Sequence, residues 1–470
     1  MKKTIKNVAT AVCFVWLLFV GAIALAQESA AGDPAASAAD EVPAVLPHFG
    51  DARPFWASGQ VNVIFQAHPG FHADYNGINS FNPHYVKATS RIMTLYTGLR
   101  LNHSTEVITH IEDAAGEGMG NSLGLAGYSN LDVVRIPGEG SPLSTAPYVA
   151  RVEIHEVIAL SKKKVAGERG PFSTFAELPE RRIELRAGLM DTADFFDANS
   201  VGSDSHFQFM NWTTAQNGAY DYAADTRGYT WGVETEYQAK NFAFRAGDML
   251  MPKIANGIDM QWNLRLAHAE NFELELRKGL LPKKDGVVRL LSYINHADMG
   301  RYRDAIEQYK ESLTPVPDIT NHPLQTTIKY GFGVNLEQAL TANLKAFARW
   351  GWNNGKTESF AYTEVDSTFA VGLGADGKMW HRKYDRAGAA FVSNAISKDH
   401  QNYLADGGHG FLLGDGALKY GRENIFETYY TGHLWRGFYA GPDFQFIADP
   451  GYNRARGPVF IGGFRVHTEI

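Results

Sequence analysis

The chain has 470 residues, 12% of them aromatic, with 47 glycines, one cysteine and a formal net charge of −7. This mildly acidic balance shows no basic footprint for nucleic acid, and we expect no nucleic-acid partner. A single cysteine excludes a disulfide within the chain. After the N-terminal region, no uninterrupted apolar run is long enough for a spanning helix. The composition fits a large exported β protein and does not choose between a soluble protein and a membrane barrel.

The N-terminus has the pattern of an export signal. Lys2, Lys3 and Lys6 precede the apolar run from Ala11 to Ala26, which ends in Ala-Leu-Ala. This pattern predicts a signal peptide over residues 1–26, cleaved before Gln27. The run is too short for a convincing membrane anchor. Cleavage removes Cys13 and three positive charges but no negative one, so the formal charge becomes −10.

Residues 27–53 are rich in Ala, Asp, Pro and Ser and poor in large apolar groups. Such a composition cannot form a packed core, so we expect a flexible periplasmic leader there. From residue 54 onward the pattern changes to short alternating segments. In Gln60 to Ala67, for example, Val61, Val63 and Phe65 share one face and Gln60, Asn62 and Gln66 the other. Period-two alternation of this kind predicts β-strands.

Sixteen segments follow this pattern, and together they predict an all-β fold. The predicted strands are 60–67, 91–101, 105–113, 148–160, 182–190, 229–238, 242–249, 259–280, 287–295, 326–336, 341–352, 360–371, 379–394, 423–433, 437–448 and 458–470. Residues 259–280 are treated as one long strand because the apolar parity continues from Trp262 to Leu276. If residues 259–280 and the region near 161–181 were divided differently, the number of predicted strands would be 18.

The predicted connections fall into two classes. Turns such as 102–104 and 239–241 are short and lie at one end, whereas loops such as 68–90 and 191–228 are long and lie at the other. Residues 161–181 are the exception, being long and on the short-turn side. This sorting is typical of a transmembrane antiparallel β-barrel with short periplasmic turns and long outer loops. A soluble sandwich would bury its apolar faces between two sheets and has no reason to sort its loops.

The chain resembles a known family in five stretches. They are GLAGYSNLDVVR (Gly124 to Arg135), the segment Phe195 to Gly232, NHADMGRYRDAI (Asn295 to Ile306), KYGFGVNLEQ (Lys329 to Gln338) and the segment Gly410 to Tyr430. These resemble the carbohydrate-selective porins of the OprB type. The resemblance implies a 16-stranded outer-membrane barrel for sugar uptake, with ion transport through the same pore. It also implies that the loop after the fifth strand, Asp191 to Arg227, narrows the pore.

The resemblance also bears on partners. Mono- or oligosaccharides would pass through the pore, and lipid and lipopolysaccharide of the outer membrane would surround the barrel. In the last strand, Phe460, Phe464 and Val466 lie opposite Arg465 and His467. We expect this closing strand to be recognised by the barrel-assembly machinery. A homotrimer and a monomer both remain open.

The loop from Asp191 to Arg227 is the principal candidate for the selectivity site. It is long and irregular, and loops of this kind are usually functional. Its aromatic rings suit stacking on a pyranose, and its planar polar groups suit hydroxyls. We expect Phe207, Trp212 and Tyr220 to be stacking platforms and Asp204, Asn211 and Asp221 to bind hydroxyls or wall arginines. The alternative is an ordinary surface loop, which is common on such barrels.

Charged residues of both signs occupy the polar faces of the strands. Charge inside a barrel is costly unless it is paired or wet, and only a ring of charges as a whole sets selectivity. The alternative for any one of these residues is simple solvation of a channel wall. The candidate pore-lining residues are Arg151, Glu153, Arg186, Glu234, Arg245, Arg265 and Glu275.

No motif predicts catalysis, a metal or a cofactor. The glycine-rich segments 116–120 and 407–416 lack the lysine and the helix of a phosphate-binding loop. His110 and Glu112 are too sparse to predict a zinc site. No pair of carboxylates is singled out by its spacing. We therefore predict a passive, weakly binding sugar channel. The alternatives are a polysaccharide exporter, an outer-membrane enzyme acting on glycans, or a soluble sugar-binding sandwich.

Overall fold

The fold is given by a computed structural model that describes residues 43–46, 53–119, 123–132, 146–360 and 364–470. The predicted signal peptide and most of the predicted leader lie outside the described residues. Within the described part of the chain, no helix is long and apolar enough to cross a membrane.

Sixteen antiparallel strands close into one barrel. Each strand pairs with its neighbour along the chain, and the first strand pairs with the last, so no edge is left unpaired. A short hairpin of two further strands lies in the connection between the fourth and fifth barrel strands. The strands are β1 (Phe55–His68), β2 (Val86–Arg100), β3 (Thr105–Gly116), β4 (Tyr148–Ala159), β5 (Lys164–Ala166), β6 (Glu177–Pro179), β7 (Arg182–Met190), β8 (Thr230–Gln238), β9 (Phe242–Met249), β10 (His268–Leu276), β11 (Gly286–Ala297), β12 (Thr327–Thr341), β13 (Leu344–Asn353), β14 (Ser367–Asp376), β15 (Arg386–Ala395), β16 (Glu423–Trp435), β17 (Phe438–Ala448) and β18 (Val459–Glu469).

The barrel has a long-loop end and a short-turn end. The described helices are α1 (Trp212–Ala215), α2 (Tyr302–Lys310) and α3 (Lys398–Ala405), and all three belong to long loops. Two of them begin at a side-chain cap, since Asn211 accepts from the Thr213 amide and Ser397 from the His400 amide. Short 3₁₀ turns cover Thr192–Asp194, Gly377–Trp380 and Pro450–Tyr452.

The outer surface of the barrel is apolar and its interior is polar. Leu95, Phe369 and Phe464 point outward and are nearly half exposed, whereas Gln60 and Asn62 point inward and are buried. A soluble protein rarely leaves so much apolar surface in contact with water. This inside-out distribution is what a lipid environment requires of a closed barrel, in which every strand finds its backbone partners.

The strand count from sequence is confirmed. All sixteen predicted segments correspond to barrel strands, and the long connection 160–181 lies on the predicted side. Its two short strands form a separate sheet and do not enlarge the barrel, so the alternative count of 18 barrel strands is wrong.

The prediction of one strand over residues 259–280 is wrong in extent, because β10 covers only His268–Leu276. The preceding residues close local turns, in which the amides of Leu266 and Ala267 both donate to the Asn263 carbonyl. Their backbone groups are therefore satisfied without a neighbouring strand. The alternation of apolar and polar residues at Trp262, Leu264 and Arg265 matches that of β10 by coincidence. These three residues lie in an exposed loop. β14 and β15 also begin several residues later than predicted.

Loops fill much of the barrel interior. The buried cluster combines inward wall residues such as Leu291 and Ile425 with loop residues such as Phe196, Phe209 and Trp212. The core therefore lies inside the barrel, where loop side chains pack against the wall.

Candidate functional site

The loop between β7 and β8, residues 191–229, enters the barrel; it is called here the inward loop. Asp197 on this loop is 2.9 Å from Arg349 of β13 on the far wall. Farther along, Glu427 of β16 accepts the amides of Met210 and Asn211, at 2.6 and 3.0 Å. The inward loop therefore crosses the interior and is fastened to strands well away from its own.

A second stretch of chain from the long-loop end lies beside the inward loop. It consists of residues 123–132, here the inward segment, which belong to the connection between β3 and β4. The amides of Ala126 and Gly127 donate to Glu423 of β16. The Tyr128 carbonyl accepts from the Trp212 amide at 3.0 Å, which joins the segment to the inward loop. Residues 133–135 of the matching family stretch lie outside the described residues.

A third stretch enters from the opposite end of the barrel. Residues 160–181, here the inward turn, connect β4 to β7 and include the β5–β6 hairpin. Inside the barrel, Glu106 of β3 accepts hydrogen bonds from Ser173 Oγ at 2.8 Å and from the Thr174 amide at 2.7 Å. The long connection that was an exception to loop sorting is therefore folded back into the lumen.

The three stretches enclose a cavity of about 490 Å³. This volume lies in the range of small-molecule sites, about 300–1,000 Å³. Its aromatic lining comes from wall, loops and turn alike, and its charged groups are mostly acidic. The lining includes Tyr96, His110, Glu112, Asp132, Tyr148, Arg151, Phe172, Asp191, Asp194, Asp204, His206, Phe207, Trp212, Tyr222, Arg227, Tyr229 and Glu469.

Arg151 is the central charged group of the cavity wall. Its guanidinium is buried and forms ion pairs with Glu153 at 2.6 Å and with Asp194. Arg186 of β7 reaches the same Glu153 at 2.5 Å. Burial raises the pKa of Asp194, although Arg151 opposes this effect. Burial, followed by the neighbouring Asp194 carboxylate, holds the pKa of Asp191 well above its usual range. Such buried pairs keep their geometry because breaking one leaves an uncompensated charge.

Three residues predicted from the inward loop line the cavity, namely Asp204, Phe207 and Trp212. Arg386 of β15 lies 3.2 Å from Asp204 and 4.7 Å from the centre of the Phe207 ring. Burial raises the pKa of Asp204, but Arg386, His206, His467 and Arg465 together lower it more, so the net shift is downward. Trp212 is stacked between Tyr128 and Tyr222, with ring centres 5.4 and 5.7 Å away.

The other three predicted loop residues hold the loop in place. Asn211 is fully buried and donates to the Gly127 carbonyl at 2.8 Å. Tyr220 donates its hydroxyl to Asn271 at 2.7 Å. Asp221 accepts the Phe360 amide and lies 3.1 Å from Lys329. None of the three belongs to the described lining of the cavity.

The predicted wall residues other than Arg151 lie outside the described cavity lining. Glu153 and Arg186 stand directly behind Arg151. On the next strands, Arg245 pairs with Glu236, Glu273 and Glu275. Glu234 is buried on the same wall. Arg265 lies in the exposed loop before β10 and not on the wall, since its strand begins only at His268.

Sequence reasoning missed a tyrosine–carboxylate group at the cavity edge. Tyr148 and Tyr229 both donate their hydroxyls to Glu112, the latter at 3.1 Å. Arg227 lies 3.9 Å from the centre of the Tyr148 ring. The predicted strand 229–238 includes Tyr229, but β8 begins at Thr230, so Tyr229 lies before the strand and is free to turn toward Glu112. Aromatic residues at the junctions of outer loops and strands were the available signal.

The described residues hold no group of three or more His, Cys, Asp and Glu side chains arranged for a metal ion. The side chains that line the cavity include aromatic rings, carboxylates and guanidinium groups. Hydroxyl groups can both donate to the carboxylates and accept from the guanidinium groups.

The profile of the carbohydrate-selective porin, OprB family, matches residues 93–470. No curated protein matches the sequence significantly. Among solved structures, the chain is similar to the high-pH structure of Pseudomonas putida OprB, with 16% identity, a TM-score of 0.65 and coverage of 89% of this chain and 94% of that one. It is also similar to the outer membrane channel DcaP of Acinetobacter baumannii, with 9% identity, a TM-score of 0.48 and coverage of 88% and 97%.

The two kinds of similarity support different statements. At these identities, the likeness to the Pseudomonas putida channel supports the fold, a closed 16-stranded barrel. The profile match spans most of the chain and identifies the family. The chain belongs to the OprB family of carbohydrate-selective porins, which are passive channels of the bacterial outer membrane.

Proposed function

We propose that the cavity between the inward loop, the inward segment and the inward turn is the constriction at which this porin selects sugars. The observation that carries the proposal is the fastening of the inward loop to the far wall at Arg349 and Asp197. A loop held on both sides of the barrel leaves a solute no wide path around it. Every solute would then pass the side chains that line the cavity.

The cavity lining suits a polyhydroxylated ring. Phe207 contributes an aromatic ring to the lining, and Trp212, whose faces are covered by Tyr128 and Tyr222, contributes only an edge. Arg151 and Asp204 supply a donor and an acceptor for the hydroxyls of the sugar. Asn211, Tyr220 and Asp221 hold the loop that carries these groups. Glu153, Arg186, Glu234, Arg245 and Glu275 contribute to the electric field of the wall. The proposal leaves out Arg265, which lies in an exposed loop.

Transport through this constriction is passive in our proposal, and no residue is assigned to catalysis. A glycan-cleaving barrel would need an acid and a base free to reach the substrate. Asp194 is tied to Arg151, and Asp191 accepts the Ala193 amide at the start of a 3₁₀ turn. A channel must also release what it binds, so the sugar affinity should be low.

The proposal extends to the surroundings of the barrel. The apolar outer face would contact outer-membrane lipid and lipopolysaccharide, and the closing strand β18 would be recognised by the barrel-assembly machinery. Assembly as a homotrimer, with the monomer as the alternative, is tested by native mass spectrometry of the protein released from detergent micelles.

The test of the constriction is planar-bilayer conductance titrated with a panel of neutral, acidic and amino sugars. We expect some sugars to reduce the ion current in a saturable way. Asp204→Asn removes the charge paired with Arg386. In this variant the sugar should reduce the ion current less, while the channel still conducts ions in the absence of sugar. The matched control is Asp406→Asn at the exposed end of α3. Currents that no sugar reduces would contradict the proposed sugar-selecting site.

A further inference from the structure

The inward turn is fixed inside the barrel by a buried carboxylate. Glu106 is fully buried and accepts from Ser173 Oγ, the Thr174 amide and Thr174 Oγ. On its other side, His155 Nδ1 lies 2.7 Å from the same carboxylate. Burying a carboxylate is costly unless hydrogen bonds replace its water. The turn supplies those bonds, so its position in the lumen is part of the fold.

The turn carries two phenylalanines that are treated differently. Phe175 is packed away with 5% of its surface exposed, whereas Phe172 faces the cavity with 43% exposed. The exposed ring is nevertheless held. The backbone carbonyl of Phe172 accepts from Arg186 at 3.2 Å, and the centre of the Phe172 ring lies 5.0 Å from the Arg151 guanidinium carbon.

His110 of β3 also helps to hold the Phe172 ring in place. His110 Nε2 lies 2.8 Å from the Pro171 carbonyl oxygen, and the His110 and Phe172 ring centres are 5.9 Å apart at an angle of 60°. Leaving apolar surface in water costs about 25 cal/mol per Å². A rigid, half-exposed ring in a water-accessible cavity is therefore a surface prepared for another apolar face.

We propose that the inward turn is a second selectivity element, and that Phe172 is the platform on which a sugar ring stacks at the periplasmic floor of the cavity. The inward loop lines the cavity from the outer end and Phe172 from the periplasmic end. A sugar crossing the barrel meets the two elements in series. Arg151 stands over the ring and holds it in place. The choice of a sugar as the ligand rests on the proposed function. The position of the Phe172 ring in the permeation path does not.

The position of the ring is tested with thiol chemistry. The sequence has one cysteine, Cys13, within the predicted signal peptide, so Phe172→Cys provides a unique thiol in the mature chain. A membrane-impermeant methanethiosulfonate bearing a trimethylammonium group is added on the periplasmic side of single channels. We expect modification of residue 172 to lower the conductance by a large fraction.

The matched control is Val165→Cys, on the exposed β5 strand of the same turn and outside the described cavity lining. It should be modified, as mass spectrometry will show, without a change in conductance. A residue 172 thiol that is modified with unchanged conductance, or that resists modification, would overturn the inference.

The role of the ring in selectivity is tested with the sugar that most reduces the wild-type current. Phe172→Ala should lower the apparent affinity for this sugar about tenfold. Phe172→Tyr, which keeps the aromatic ring, should have the affinity of the wild-type channel. Heat-modifiable migration in electrophoresis shows that each variant has folded. If no sugar reduces the wild-type current, the proposed function fails. If the wild-type current is reduced and Phe172→Ala changes nothing, the inference about Phe172 fails.

Discussion

Arg349 and Asp197 form an ion pair across the interior of the barrel, with Arg349 Nε 2.9 Å from Asp197 Oδ2. Arg349 belongs to β13 and Asp197 to the inward loop, and both side chains are almost completely buried. Asn335 of β12 also donates to the Asp197 carbonyl at 2.8 Å. A loop that leaves the barrel at β7 is thus anchored at β12 and β13, five and six strands away along the wall.

Removing the arginine should release this anchor. In Arg349→Met, the Asp197 carboxylate loses its partner inside the protein, which costs on the order of 3–5 kcal/mol when both charges are buried. We expect larger and noisier single-channel currents, because the loop no longer stays against the wall. The control is Lys345→Met on the same face of the same strand, where the ammonium group is exposed and 3.4 Å from Ser200 Oγ. Equal currents in the two variants would contradict the anchoring role of Arg349.

Deleting residues 200–218 should widen the pore. The deletion removes Phe207 and Trp212 from the cavity lining together with the chain that carries them. We expect higher single-channel conductance and loss of the sugar-induced reduction in current. Unchanged conductance with the sugar effect intact would place the constriction elsewhere. The inward segment 123–132 would then be the next candidate.

On the lipid-facing side of the barrel, the cost of introducing an arginine should depend on its depth in the membrane. Val371 points outward near the middle of β14, and Ala375 points outward near its periplasmic end. Arginine should cost about 2–4 kcal/mol at Val371 but about 0–1 kcal/mol at Ala375, because charge is tolerated near the membrane surface. The fraction of heat-modifiable folded barrel after refolding into lipid vesicles measures the difference. Equal losses at both positions would contradict the membrane orientation of this strand.

The docking of α3 should depend on pH through His400. Its Nδ1 lies 3.3 Å from Asp366, its Nε2 lies 3.7 Å from Glu364, and its ring stacks on Tyr302 at 4.3 Å. Burial lowers the pKa of His400, but the neighbouring Asp366 and Glu364 carboxylates together raise it more, so the net shift is upward. A group with a raised pKa in the folded state stabilises that state below its unfolded pKa.

This stabilisation is therefore complete below a pH of about 6.5, the usual value for histidine, and is lost as the pH rises through the higher folded value. We expect amide protection of α3, corrected for the intrinsic exchange rate, to fall over that range. His400→Gln should remove the dependence. The pKa of Asp366 is lowered, so its own contribution is lost only in acid. Protection that stays constant in the wild-type protein would contradict the prediction.

The sequence by itself determined the barrel. Lipid outside and polar groups inside impose a period of two on every strand, and that period is visible in segments such as Gln60 to Ala67. The segregation of long loops from short turns then fixed the number of strands and their direction. The same reasoning failed at Trp262, Leu264 and Arg265, where a turn happened to keep the parity of the following strand.

Only the tertiary structure decided the site. The inward loop has no period, so its sequence did not separate Phe207 and Trp212, which line the cavity, from Tyr220, which supports the loop. The inward turn could not be recognised as part of the pore, because its place depends on Glu106, 67 residues from Ser173 along the chain. Contacts between distant segments inside a closed barrel are set by how loops fit against the wall, and that fit leaves no repeating signal in the sequence.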